Sequence, residues 1–373
     1  MRLALRFLPF ALLSLVLAAA GPGTPATHAA TAQTPRYDAL VDASYRGRAG
    51  TLVGGTPVFR TLGAALAAAP GDTTGYTVFL RDGRYHEKLT VRRAKVHLIG
   101  ESRDGTVITY DAAAGMPSPA GGTYGTSGSF TLRVLAPDFT AEHLTVENAF
   151  DYAANAAKPD GDPTKLAGAQ AVALMTDSAS DRAVFRDVRI SGNQDTLYPD
   201  AGRQYFEHCM VSGSVDFIFG AGRAVFDDCD IVSLDRGSAT NNGYVTAPST
   251  PRSQPYGFVF IRSRLRKASP AMAAGSVALG RPWHPSSHPG VLPSAVFIDC
   301  TMDDHIGARG WASMSGRDAS GARRTYLPGD SRFFEHGSRG PGAVASPSRP
   351  VLPEDALPYY TIDRVLAGWD PAP

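Results

Sequence analysis

The chain contains few cysteines and almost no charge imbalance. Three of its 373 residues are cysteine, and 36 lysines and arginines stand against 35 aspartates and glutamates. Three cysteines are too few for a disulfide-built scaffold, so the fold must depend on a buried core. The sequence also lacks a basic run with interleaved aromatic residues, which argues against nucleic acid as a partner. A charged ligand would therefore have to be bound by local groups.

A continuous apolar run occurs at the N-terminus. The run "FLPFALLSLVLAAA" follows Arg2 and Arg6 and precedes the small and polar stretch "GPGTPATHAA". This order is typical of a secretory signal peptide, and the apolar part is short for a membrane span, although a membrane anchor is the alternative. We therefore expect residues 1–30 to be a signal peptide and residues 31–373 to form one domain. That domain would be secreted, to the periplasm or the cell exterior, without membrane attachment.

Convincing helical patterns are scarce as well. The segment "TPVFRTLGAALAAAP" predicts one short helix near the N-terminus, with Thr56 as its cap, Pro57 in its first turn and Pro70 at its end. After it, short β-branched and aromatic runs alternate with Gly, Asn, Asp and Ser. The chain is therefore predicted to be all-β with a short N-terminal capping helix.

Five of the strand-like runs repeat one pattern. They are "AVFRDVRISG", "QYFEHCMVSG", "AVFDDCDIVS", "FVFIRSRLRK" and "AVFIDCTMDD", and they share the phenylalanines Phe185, Phe206, Phe226, Phe260 and Phe297. The first two steps are close to twenty residues, and the later ones need inserted loops. Such a period predicts a right-handed parallel β-helix in which each repeat is one coil. An antiparallel β-sandwich is the alternative, but Asn-Gly hairpin turns are scarce between the runs.

The repeat also places the cysteines. Cys209, Cys229 and Cys300 each follow a repeat phenylalanine by three residues, so they occupy one ladder position. Equivalent residues of adjacent coils lie about 4.8 Å apart, within the Cα separation that a disulfide tolerates. We therefore predict a Cys209–Cys229 disulfide, with Cys300 left as a thiol.

The same register stacks two carboxylates. Asp195 follows Phe185 by ten residues, and Asp216 follows Phe206 by ten. Two charges about 5 Å apart repel by roughly 3 kcal/mol at an effective dielectric of 20, and burial beside apolar residues adds to this. One member of the pair should therefore stay protonated while the other is ionised. Such a pair can supply one acid and one base.

Further polar groups accompany this pair in the sequence. Gln194 precedes Asp195, and Gln170 opens the strand "QAVAL"; their amide N–H groups could stabilise an oxyanion. The segment "LGRPWHP" supplies Arg281, which can hold a carboxylate in a bidentate contact, and Trp283, whose flat indole suits a sugar ring.

The segments "GNQDTLY", "SGSVDFIFG" and "LGRPW", in this order, resemble the signature segments of the pectinesterases, the pectin methylesterases of carbohydrate esterase family 8. The resemblance spans nearly the whole mature chain and includes "VHLIGES", "GTSGSFT" and the terminal "GWDP". It implies a right-handed parallel β-helix and hydrolysis of the C6 methyl esters of homogalacturonan to pectate and methanol. Pectin would be the partner of a monomeric enzyme that needs neither a cofactor nor a metal.

The resemblance also assigns roles to residues. It implies that Asp216 is the nucleophile that forms an acyl-enzyme, that Asp195 is the general acid and then the general base, and that Arg281 orients Asp216. Gln194 and Gln170 would stabilise the oxyanion. The implied substrate contacts are Trp283, Thr126, Tyr198, Phe219 and Val215.

Other enzyme classes and a binding role are the alternatives to this function. A serine esterase is disfavoured because the chain has no G-x-S-x-G elbow, and no H-E-x-x-H motif points to zinc. A glycoside hydrolase or lyase on the same fold remains an alternative, since two carboxyls about 5 Å apart suit a retaining glycosidase. A secreted protein that only binds cell-wall polysaccharide is the other alternative.

Overall fold

The computed structural model describes residues 37–286, 288 and 290–371. Along most of this range the backbone winds through coils that each contribute a strand to three sheets. Strands of successive coils pair in parallel, and the antiparallel pairing within these sheets is confined to one N-terminal edge. The predicted parallel β-helix is thus confirmed. The predicted signal peptide lies outside the described residues.

The first sheet has twelve strands. In spatial order they are Thr51–Val53, Thr56–Phe59, Ala39–Val41, Tyr76–Leu80, Val96–Gly100, Thr140–Glu142, Ala183–Arg186, Arg203–Glu207, Arg223–Asp227, Phe258–Ile261, Ser294–Ile298 and Arg332–His336. The second sheet has eight: Gly83–His86, Thr106–Tyr110, Thr145–Asn148, Arg189–Ser191, Met210–Gly213, Asp230–Ser233, Arg264–Lys267 and Thr301–Met302.

The third sheet has seven strands. They are Leu89–Val91, Leu132–Val134, Leu174–Thr176, Leu197–Pro199, Ile218–Gly220, Gly243–Pro248 and Val277–Gly280. An antiparallel hairpin, Met314–Arg317 with Arg323–Tyr326, follows as a separate two-stranded sheet.

Helical segments in the described residues are short. The α-helices are Leu62–Ala67, Tyr152–Ala157 and Ile362–Val365, and 3-10 turns cover Thr126–Gly128, Pro328–Asp330 and Glu354–Tyr359. Across the part of the chain that is described, no helix has the length and apolar character needed to cross a membrane.

The N-terminal helix begins later than the sequence pattern predicts. Thr56–Phe59, predicted as its cap and first turn, forms a strand because it pairs with Ala39–Val41. The actual cap is Thr61, whose side chain accepts a hydrogen bond from the amide of Ala64. The Glu87 carboxylate accepts two further amide hydrogen bonds of the first turn, both 2.8 Å long. Pairing with a neighbouring strand therefore overrides the local helical pattern.

The repeat phenylalanines form a ladder inside the coils, as their spacing predicts. Each pairs in register with the next, and the ring centroids of successive members lie 4.4 to 4.7 Å apart in near-parallel stacks. All five rings are fully buried: Phe185, Phe206, Phe226, Phe260 and Phe297. This ladder, together with aliphatic side chains from all three sheets, forms the core.

The predicted Cys209–Cys229 disulfide is wrong, because all three cysteines are free thiols. The two residues do occupy equivalent positions on neighbouring coils. Each thiol, however, donates a hydrogen bond to a carbonyl of the preceding coil: Cys209 to Phe185 at 3.3 Å, and Cys229 to Phe206 at 3.4 Å. A disulfide needs Cβ atoms about 3.8 Å apart, closer than the ~4.8 Å at which in-register strands hold them.

One residue per coil makes the corner between the first and second sheets. Its φ lies between 49° and 53° in five consecutive coils, which is the left-handed region. Aspartate and histidine enter this region more readily than most residues. The corner residues are Asp187, His208, Asp228, Arg262 and Asp299.

Candidate active site

The two predicted catalytic carboxylates lie at the corner between the second and third sheets. Asp195 has φ 63° and Asp216 has φ 49°, so each makes its turn in the left-handed region. The strands that follow pair Leu197 with Ile218, which places the two aspartates at equivalent positions on adjacent coils. The amide of Asp195 donates a 3.0 Å hydrogen bond to the carbonyl of Val215. The backbone pairing therefore stacks Asp195 and Asp216 as the sequence register predicts.

The corner that carries Asp216 leaves no room for a side chain at Gly213. A Cβ atom there would lie 2.2 Å from Cβ of Phe217 and 2.7 Å from the carbonyl oxygen of Asn193. Phe217 turns inward and is fully buried, whereas Asp216 lines the groove outside. This corner thus directs the apolar side chain of Phe217 into the core and the carboxylate of Asp216 into the groove.

Arg281 holds Asp216 in a bidentate ion pair. Its Nε donates to Oδ1 at 2.8 Å and its second terminal nitrogen donates to Oδ2 at 2.6 Å. The guanidinium carbon also lies 3.9 Å from the ring centroid of Tyr244. Tyr244 occupies the ladder position after Asp216, since the next strands pair Ile218 with Thr246. The arginine is therefore fixed from one side by charge and from the other by an aromatic face.

The two carboxylates have unequal surroundings. Asp195 and Asp216 are only 8% and 6% exposed. Burial, and then the charge of Asp216, raise the pKa of Asp195 well above the ordinary carboxyl value. Burial also raises the pKa of Asp216, but the hydrogen bonds and charge of Arg281 oppose that rise. Asp216 is therefore the member that ionises first, and Asp195 keeps the proton.

The pair opens into a groove of about 930 Å³ on the outer face of the third sheet. Three of the predicted substrate contacts form an aromatic platform within it. The rings of Tyr198 and Phe219 stack with centroids 4.1 Å apart, and Trp283 meets Phe219 at 5.7 Å and a steep angle. Aromatic rings that line a groove beside buried acids are suited to a sugar ring.

The remaining predicted residues fall into two groups. Gln170, Gln194 and Thr126 all line the groove with the two aspartates. Within the described residues the side-chain amides of Gln170 and Gln194 have no hydrogen-bond partner, so both side chains are available to a ligand. Val215 does not line the groove and contributes its backbone carbonyl to Asp195 instead. Its predicted contact with substrate therefore has no support in the geometry.

Sequence reasoning missed several residues that line this groove or contact its lining. Asp177 and Asp200 follow neighbouring strands of the third sheet and add two more carboxylates to the lining. Burial raises the pKa of Asp200, and the charge of Asp177 adds to the rise. Tyr244 was missed because the inserted loop before it hides the repeat; aligning "GYVTAP" with "DFIFG" would have found it. Met314 comes from the separate hairpin, which the repeat does not cover.

Comparison with known proteins agrees with this geometry. Residues 52–346 match the Pectinesterase family. Pectinesterase A of Dickeya dadantii is 42% identical over 324 residues, which are 84% of this chain and 88% of that protein.

Solved structures give the same result. A pectin methylesterase solved in complex with a hexasaccharide superposes with a TM-score of 0.85 at 42% identity, over 91% of this chain and 99% of that one. The pectin methylesterase of Yersinia enterocolitica has a TM-score of 0.80 at 48% identity, over 83% of this chain and 99% of that one. These matches favour ester hydrolysis over the glycosidase, lyase and binding alternatives. The chain belongs to the pectinesterase family of carboxylic ester hydrolases.

Proposed function

We propose that the chain removes the C6 methyl esters of pectin by covalent catalysis at Asp216. The observation that carries this proposal is the asymmetric carboxylate pair. One buried aspartate is held ionised by a bidentate arginine, and its stacked neighbour is favoured in the protonated form. A nucleophile and a general acid within one coil spacing are what ester cleavage requires.

In the first half of the reaction, the Asp216 carboxylate attacks the ester carbonyl carbon and forms a tetrahedral intermediate. The amides of Gln170 and Gln194, both free in the groove, donate to its oxyanion. The intermediate collapses as the carbon–methoxy bond breaks, and the departing oxygen takes the proton of Asp195. Methanol leaves, and an acyl anhydride joins the substrate to Asp216.

In the second half, Asp195 is ionised and acts as a base. It takes a proton from a water molecule, whose oxygen attacks the acyl carbon. The carbon–Asp216 bond then breaks, which releases galacturonic acid and restores both aspartates to their starting states. The released acid loses its proton to solvent and becomes the galacturonate carboxylate. The buried setting of the pair favours this alternation, because it penalises two simultaneous charges.

The setting of the enzyme is part of the proposal. We infer that residues 1–30 are a signal peptide and that the remaining domain acts outside the cytoplasm as a monomer. The order of basic, apolar and small residues at the N-terminus supports export. A polymeric substrate such as pectin also requires the enzyme to act where the polymer is.

The reaction is tested with highly methylated pectin and purified mature protein. Methanol, reducing ends and unsaturated products are followed together. We expect methanol to form without the other two. Reducing ends or unsaturated products in the absence of methanol would contradict the proposal and favour chain cleavage.

The nucleophile is tested by Asp216→Asn, which keeps the shape but loses the charge. We expect methanol release to fall below about one thousandth of the wild-type rate, as for loss of other covalent nucleophiles. Asp299→Asn is the matched control, because Asp299 has the same left-handed backbone on another corner. Near-wild-type activity in Asp216→Asn would remove Asp216 from its role.

A further inference from the structure

The groove itself is acidic. Among its described lining residues, the aspartates are Asp177, Asp195, Asp200 and Asp216, and Arg281 is the single lysine or arginine. That arginine already pairs with Asp216. A pectin chain gains a free carboxylate with every ester removed. Arg133, which is not a lining residue, lies 3.5 Å from a carboxylate oxygen of Asp177. The described lining therefore has no unpaired lysine or arginine to bind the anionic part of such a chain.

The hairpin Met314–Arg317 with Arg323–Tyr326 has the opposite charge. Arg317 and Arg323 lie directly opposite each other across its two strands, and both are exposed. Like charges in that position destabilise a hairpin. In the described part of the chain neither arginine forms an ion pair, and Arg317 bonds only to the carbonyl of Gly321 at 2.8 Å. The opposed pair thus weakens the hairpin without a compensating acidic partner.

The other charges of the hairpin do not cancel this pair. Arg324 is also exposed, and its Nε lies 2.9 Å from a carboxylate oxygen of Asp318. The hairpin therefore carries three arginines against one aspartate, and the aspartate is occupied. The guanidinium groups of Arg317 and Arg323 therefore remain available to a ligand.

The hairpin adjoins the groove. Met314 lines the groove at the foot of the hairpin, and Arg317 lines two smaller cavities of 340 and 360 Å³ next to it. The first of these shares Trp283 and Met314 with the groove. The ring of Tyr326 stacks on His284 at 3.8 Å and 3°, which fixes the hairpin against the loop that carries Trp283.

We propose that Arg317 and Arg323 form an accessory subsite for the free carboxylates of de-esterified galacturonate residues. The site would hold the anionic part of a partly processed chain while the acidic groove receives an esterified residue. The subsite rests on the proposed function for its ligand, but its affinity is measurable without catalysis.

The test uses the double variant Arg317→Gln, Arg323→Gln, with polygalacturonate as the probe. Titration calorimetry at low and moderate salt should show an affinity loss of roughly tenfold at low salt, because two exposed ion pairs are lost, and a smaller loss at moderate salt. The variant Arg317→Lys, Arg323→Lys should restore part of the affinity. The matched control is Arg48→Gln, Arg60→Gln, which removes the same charge from exposed positions outside the groove lining.

A second measurement separates the subsite from the reaction. On a fully methyl-esterified oligogalacturonate, which carries no carboxylate, the glutamine variant should keep the wild-type kcat/KM. Unchanged binding of polygalacturonate by the glutamine variant, or equal loss in the control, would overturn the subsite. Failure of the wild type to release methanol from the esterified oligomer would instead overturn the proposed function, and the binding comparison would still stand.

Discussion

In the proposed mechanism, Arg281 determines which of two like groups becomes the nucleophile. Asp195 and Asp216 share a backbone conformation, a ladder position and deep burial, so nothing in the strand geometry tells them apart. Only Asp216 receives the two guanidinium hydrogen bonds. In that mechanism one side chain, which follows a strand two coils further along, makes a near-symmetric pair into an acid and a base.

Arg281→Gln should therefore change the pH profile as well as the rate. We expect kcat/KM to fall on the order of a hundredfold, since a charge-assisted bidentate contact is lost. Because Arg281 opposes the rise in the pKa of Asp216, its removal should raise that pKa. The acid limb of the profile should then move to higher pH.

The measurement is the pH dependence of kcat/KM for methanol release. Arg281→Lys is the comparison variant, because it keeps a charge but loses the planar fork. A slower variant whose acid limb does not move would contradict the assignment of Arg281 as the group that keeps Asp216 ionised.

Asp195 should destabilise the fold as pH rises. Its pKa is raised in the folded state, so the folded protein holds this proton more tightly than the unfolded chain does. Stability from this group is fully present below the unfolded pKa and is lost as pH rises through the folded pKa. Asp195→Asn, which is neutral throughout, should therefore be more stable than wild type at high pH, and the difference should shrink toward low pH.

Urea unfolding across this pH range measures the effect. The free energies of unfolding of Asp195→Asn and wild type should diverge as pH increases. A constant difference would show that ionisation of Asp195 carries no stability cost. Asp299→Asn serves again as the control, since it removes a carboxylate from a comparable corner outside the pair.

At the scale of single elements, the phenylalanine ladder holds successive coils together. Phe226 stacks on both neighbours, with centroids 4.7 and 4.5 Å away, and its side chain is fully buried. Phe226→Ala should cost about 3–5 kcal/mol of unfolding free energy, from lost burial and the cavity left behind. Leu52→Ala, at a residue that is 67% exposed, should cost little. Urea denaturation measures both, and equal effects would contradict a structural role of the ladder.

The strand ladder also predicts the redox state of the cysteines. The unfolded, unreduced protein should titrate as three thiols, because Cys209, Cys229 and Cys300 are all free. Their burial explains why they persist as thiols, and it raises the pKa of Cys300 to about 12, which disfavours the reactive thiolate. A count of one thiol would restore the disulfide that the sequence spacing suggested.

The fold and the stacking of the two aspartates follow from the sequence because they share one periodic signal. A phenylalanine at the same position of five consecutive coils sets the register, and that register places Asp195 and Asp216 at equivalent positions of adjacent coils. The sequence-based predictions failed where spacing along the chain is not the deciding quantity. The disulfide depended on Cβ separation rather than Cα separation, and the N-terminal helix lost its first turn to strand pairing. Tyr244 and the hairpin were missed because inserted loops interrupt the repeat.

On the scale of the whole molecule, the C-terminal segment covers the outer face of the first sheet. Leu352, Val365 and Leu366 are buried there against valines and isoleucines of the long sheet. The guanidinium of Arg203 also donates to the carbonyl of Leu366 at 3.0 Å. A sheet face that would otherwise be apolar and exposed is thus closed by the end of the same chain.

Deletion of residues 350–373 should uncover that face. We expect a loss of about 5 kcal/mol or more, because three buried aliphatic side chains are worth roughly 1.5–3 kcal/mol each. The truncated protein should unfold at lower urea and bind a hydrophobic dye in the absence of denaturant. Tyr359→Ala, at a residue of the same segment that is 61% exposed, should do neither. Wild-type stability of the truncated protein would refute the covering role.

Asp195 and Asp216, the two aspartates of the proposed reaction, are separated by one step of a hydrogen-bonded sheet. Their spacing is therefore set by backbone hydrogen bonds between adjacent strands, and side-chain packing elsewhere has little effect on it. The distance between adjacent strands does not increase gradually. It stays constant until the sheet unfolds. For this enzyme, loss of activity on heating should accordingly coincide with loss of the β-helix, without an earlier phase in which a folded protein has a distorted active site.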